Sequence, residues 1–73
     1  MSQPDHNPFE VVVESTGDHA ETETLDAALY AAAKLQTEAR SRGVGRPTAH
    51  VYEIDETGEA HHVVTLTRMG GRA

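Results

Sequence analysis

Seventy-three residues, twelve acidic against six basic side chains, five histidines, and neither cysteine nor tryptophan bound this chain to one small domain with little room for a cavity walled by its own residues. The lack of cysteine excludes disulfide staples and thiolate metal sites. No stretch approaches the ~20 apolar residues of a membrane helix, and the opening Met1-Ser2-Gln3-Pro4-Asp5 lacks the basic-then-apolar run of a secretion signal, so a cytoplasmic protein is expected.

Residues 1–8, with Pro4 and Pro8, read as a flexible arm. Phe9 to Ser15 reads as a strand: Phe9, Val11 and Val13 alternate with Glu10, Val12 and Glu14. Gly17-Asp18 turns the chain. Thr24 is the expected N-cap of a helix, with Glu21, Glu23 and Asp26 near its positive end. Leu25, Ala28, Leu29, Ala32, Leu35, Gln36 and Ala39 recur at helical spacing. Of these, Leu25, Leu29, Ala32 and Leu35 are expected to pack on Val11, Val13 and Leu66. Tyr30 lies beside the stripe, where a half-buried anchor is expected. Arg40 and Arg42 suit the negative helix end, and Gly43 the position after the C-cap. Gly43-Val44-Gly45-Arg46 follows a helix rather than opening one, so it terminates the helix and does not cradle phosphate. Thr48–Asp55 and Ala60–Thr67 read as two strands of a hairpin around Asp55-Glu56-Thr57-Gly58. Residues 68–73 form an expected flexible tail.

These elements predict an α+β fold: a single β-α-β-β domain over 9–67, with a three-stranded sheet and one helix packed on one face. The helix has the length of a right-handed crossover between parallel first and second strands. If Asp55 pairs with Glu59, Val51 lies opposite Val63 and Tyr52 opposite His62. Either this register or a one-residue slip leaves apolar residues on both faces of the hairpin. A single helix covers only one face, so a homodimer is expected, through the open face at Val12, Val51 and Val63 or through an edge strand.

The chemistry-bearing side chains are His6, His19, His50, His61 and His62. Adjacent His61 and His62 point to opposite faces of a strand. His50 and His62 can share one, and two histidines with a carboxylate make a permissible zinc site. No HExxH or HxH spacing supports it, and nothing marks a nucleophile or an oxyanion hole. The expectation is a protein without catalytic residues, cofactor or metal.

Charge is segregated along the chain. Asp5, Glu10, Glu14, Asp18, Glu21, Glu23 and Asp26 all precede the first basic residue, Lys34. Lys34, Arg40, Arg42 and Arg46 then outweigh Glu38, before Glu53, Asp55, Glu56 and Glu59 return the sign to negative. A net charge of −6 without a clustered basic surface argues against direct binding to nucleic acid and favours a protein partner with a basic surface. Asp18, Glu21, Glu23 and Asp26 are the first candidate contacts, and Glu53, Asp55, Glu56 and Glu59 the second. The length, the acidic Asp18-to-Asp26 stretch and the Asp55-to-Glu59 hairpin tip resemble the small acidic phage and mobile-element proteins of the anti-CRISPR type. That resemblance implies a non-catalytic inhibitor occupying a nucleic-acid-binding surface of its partner. The element order also resembles dodecin, which implies the alternative of a homo-oligomeric structural or small-ligand-binding protein. The tryptophan of the dodecin flavin site has no counterpart in this chain, so flavin binding is not carried over.

Overall fold

The computed structural model describes residues 7–67; apart from Asn7 and Pro8, the expected arm at 1–8 and the tail at 68–73 lie outside them. Five elements follow in order: β1 (Phe9–Val13), β2 (His19–Thr22), α1 (Leu25–Ser41), β3 (Ala49–Ile54) and β4 (Ala60–Leu66). The architecture is α+β, with one helix on an antiparallel sheet of four strands rather than three, in the order β2-β1-β3-β4. The additional strand is β2. Gly17, at a φ of +77°, closes a tight reversal in which Gly17 N–H donates to Val13 O and Val13 N–H to Asp18 O, both at 2.8 Å. The chain therefore enters the helix already reversed. This corrects the expected parallel crossover, because β1 and β3 pair antiparallel, with Val11 opposite Val51.

Local chemistry sets the helix ends. Thr24 Oγ1 accepts from Ala27 N–H at 3.0 Å, satisfying one of the unpaired amides of the first turn. At the other end Gly43 takes a φ of +100°, Gly43 N–H donates to Arg40 O and Val44 N–H to Ala39 O. This doubly bonded termination caps the last carbonyls and folds Val44 back onto the core.

The core is built from small side chains. Val11, Val13, Ala49 and Val51 of the sheet and Ala28, Ala32 and Ala39 of the helix are fully buried, with Phe9, Leu35, Val44, Val64 and Leu66 packed around them. Alanines let the helix approach the strands closely, so the buried stripe is centred on Ala28, Ala32 and Ala39. The leucines expected at its centre lie on its flank: Leu25 and Leu29 are 38% and 36% exposed. Tyr30 is 73% exposed, so it is not the half-buried anchor expected. Helix α1 packs on β1, β2 and β3. Fully buried Gln36 spans the rest, its Nε2 donating to Pro47 O at 3.0 Å and Leu66 O at 2.8 Å.

The hairpin register holds as expected for Tyr52 opposite His62, with Asp55 N–H donating to Glu59 O. It then shifts by one residue, so that Val51 faces Val64 and not Val63. The resulting bulge sends Val64 and Leu66 to the helix side together with Val51. Val51, expected as a dimer contact, is fully buried beneath the helix; Val12 is half-buried on the opposite face and Val63 is 40% exposed. The register places Glu10, Val12, His19, Glu21, His50, Tyr52, His62 and Thr65 on that open face. It is a largely polar surface, so the apolar second face that motivated a dimer is not what the sheet presents.

Candidate functional site

Strand direction decides where the carboxylates go. Strand β2 ends opposite Phe9, and α1 begins three residues later; the β3–β4 turn also lies at this end, since Ile54 N–H donates to Pro8 O. The two acidic segments, separated by about 30 positions in the chain, therefore project from the same end of the sheet. Counted in strand spacings they stand about 10–15 Å apart. Glu21, Glu23, Asp26, Glu53, Glu56 and Glu59 there are all exposed, and among the described residues none forms an ion pair. Glu10 joins them unforeseen: it lies directly opposite Glu21 across β1 and β2, a like-charge pair that disfavours the sheet unless a cation neutralises it. The alternation of Phe9, Val11 and Val13 signalled that Glu10 leaves the core, but not that a second carboxylate stands beside it.

Two of the predicted contacts behave differently. Asp18 lies at the other end of the sheet, where it is bound by Arg42. This bond and that from Thr16 Oγ1 hold its carboxyl below the usual aspartate range. Asp55 is the hub of the hairpin turn. Its Oδ1 accepts from Thr57 Oγ1, Thr57 N–H and Glu59 N–H at 2.6, 2.8 and 3.0 Å, while Oδ2 lies 2.7 Å from His61 Nε2. These bonds, Thr57 Oγ1 and His61 foremost, push its pKa far down. Asp55, Glu59 and His61 also bring three potential ligand atoms together, but both Asp55 oxygens are engaged in building the turn.

Arg40, Arg42 and Arg46 lie at the far end, since the helix returns the chain over about 25 Å to the start of β3. Carboxylates without basic neighbours gather at one end, and at the other Arg40, Arg42 and Arg46 stand with Glu14, Asp18 and Glu38.

No protein-family model, curated protein or solved structure matches this chain. Among the described residues no helix is long and apolar enough to cross a membrane.

A second cluster lies on the open face. Thr65 Oγ1 is 3.0 Å from His50 Nδ1 and 2.7 Å from His62 Nε2, and His50 Nε2 faces Glu14 Oε2 at 3.5 Å. Tyr52 packs edge-on against His62, with ring centroids 5.8 Å apart. His61 points away from this group, towards Asp55, as strand alternation requires.

Proposed function

We propose that this chain is a non-catalytic protein-binding module that docks its acidic end on a basic surface of a partner protein. The observation that supports this reading is the convergence of the helix start and the hairpin turn at one end of the sheet. Carboxylates at a helix N-terminus have a local purpose in the helix dipole, worth about 0.3–1 kcal/mol each. That accounts for Glu23 and Asp26 but not for Glu53, Glu56 and Glu59. A cationic surface would relieve their mutual repulsion and that of Glu10 with Glu21. Where the partner's surface ordinarily holds nucleic-acid phosphates, docking excludes them by competition, as the resemblance to anti-CRISPR-type proteins implies, and a cytoplasmic setting suits such a partner.

Charge reversal tests the reading. Glu21→Lys/Glu23→Lys/Asp26→Lys and, separately, Glu53→Lys/Glu56→Lys/Glu59→Lys each weaken binding to a partner captured by the native protein, and the loss grows as salt is lowered. Full affinity in both triple variants, with the circular dichroism of the native fold, overturns it. The alternative of a homo-oligomer has less support, because the open face is largely polar. A homodimer retains the route of edge pairing, through the outer edge of β2 or of β4, and sedimentation at micromolar concentration reads it directly.

A further inference from the structure

We propose that the strip between one flank of α1 and the helix-side face of β4 seats an amphipathic helix of a partner protein, with its basic residues at the acidic end of the sheet. The inference rests on the docking reading above and names what the partner brings to it. Four strands at about 4.8 Å spacing make a sheet about 14 Å across, of which one helix with its side chains covers about 10 Å. Helix α1 packs on β2, β1 and β3, so its axis runs over β1. Among the described residues β4 is left uncovered, about 10 Å to the side, which is the distance at which a second helix packs beside a first.

Apolar side chains line both walls of this strip. Val64 and Leu66 lie on the helix side, opposite Val51 and Ala49, yet are only half-buried where Val51 and Ala49 are closed off. Leu25 and Leu29 share a flank of α1 with Gln36, since steps of four and eleven positions return to nearly the same side of a helix. The bond from Gln36 Nε2 to Leu66 O shows that this flank faces β4. The exposure of Leu25 and Leu29, 38% and 36%, is therefore exposure towards the strip. An extended segment laid there would leave its backbone groups unpaired, whereas a helix satisfies its own. Strand β4 has seven residues, a length matched by a helix of about 15 residues.

Charge selects the occupant. Exposed Glu53 stands on the helix-side face opposite Phe9 and His61, and exposed Asp26 follows Leu25 at the same end. Arg40, eleven positions beyond Leu29, marks the opposite end of the same flank. Lysines or arginines of the occupant thus belong at the Asp26 and Glu53 end, beside an apolar stripe for the leucines and valine.

A synthetic peptide of about 15 residues, with leucines on one helical face and lysines in its first turns, tests this on the full chain with labelled methyl groups. The expected result is binding with shifts at the methyls of Leu25, Leu29, Val64 and Leu66. A peptide of the same composition with its leucines scattered binds at least tenfold more weakly. Leu25→Glu/Leu29→Glu separates the strip from acidic docking itself. The variant adds carboxylates to the acidic end, so docking by charge alone holds the peptide as tightly or more so, whereas loss of the apolar wall lowers affinity at least tenfold. Unchanged or tighter binding in that variant, or equal binding of the two peptides, overturns the proposal and leaves acidic docking standing. Binding of neither peptide overturns it as well. Shifts at the same methyls on concentrating the chain alone also overturn it, by giving the strip to a second copy. The shifts of the native chain with the two peptides decide the matter even if the double variant fails to fold.

Discussion

The two faces of this sheet, built from alternate residues of the same strands, follow opposite rules. Under the helix, Val11, Val13, Ala49 and Val51 meet Ala28, Ala32 and Ala39 with no solvent access, and one polar side chain, Gln36, is admitted by bonding to two backbone carbonyls. On the other face, His50, Tyr52 and His62 are joined by polar and ring contacts through Thr65, while Glu10 and Glu21 stand opposite one another as like charges. The first face supplies stability and tolerates little change in volume; the second supplies chemistry and tolerates more. A one-residue bulge at Val63 separates these roles, since without it Val64 and Leu66 would lie beside Tyr52.

The largest expected effect breaks the comparison between neighbours. Val51→Asp places an unpaired charge in the closed core and abolishes folding, whereas Tyr52→Ser, one position away on the open face, leaves a cooperative thermal transition. A native-like transition in Val51→Asp refutes the assignment of faces.

Gln36→Ala comes next. It leaves Pro47 O and Leu66 O without their donor, for a loss of about 1–3 kcal/mol in chemical denaturation. The loss is moderated because Gln36 Oε1, buried without a partner, is removed as well. A gain in stability would mean that the orphaned oxygen outweighs the two bonds.

The helix flank gives a finer scale. Leu35→Ala, packed against the core, costs about 2 kcal/mol, and Leu29→Ala, 36% exposed, costs about 1 kcal/mol or less. Equal losses would place the helix stripe where the leucines alone suggested.

The smallest effect is a pH dependence. The folded pKa of Asp55 is depressed, so its contribution to stability is full above the ordinary aspartate value of about 3.9. It is lost as pH falls through the lower folded value. Asp55→Asn is expected to lower the neutral plateau of a melting-temperature profile and to flatten its acid limb, since the contribution lost in acid is then absent throughout. An unchanged acid limb removes Asp55 from the account.

The helix was legible because its signals are local: a threonine cap, apolar residues at helical spacing, and a glycine where φ turns positive. The β3–β4 turn was legible for the same reason, through Asp55 and Gly58. Strand β2 was not, since His19-Ala20-Glu21-Thr22 has neither apolar alternation nor strand composition; it is a strand because β1 offers it an edge. Missing it reversed the expected direction of β1 against β3. The carboxylates of the candidate docking end were all visible, but their assembly depended on that strand direction. Tyr52 opposite His62, with His50 on the same face, was legible from the turn; the convergence of the two histidines on Thr65 was not, because the register shift brings Thr65 opposite His50.

Chain connectivity orders the assembly of this sheet. Strands β1 and β2 meet across one short turn and β3 and β4 across another, while Phe9 pairs with Glu53 and Val13 with Ala49 from opposite sides of the helix. Loop closure costs more for the distant pairing, so each hairpin is entropically favoured to zip before the seam between them. The central seam, shielded in the finished protein, is then the last to close and the first to part. On that order, substitutions in β2, whose pairing is made within an early hairpin, should register in how fast the chain folds, and those that touch only the β1–β3 seam chiefly in how fast it opens.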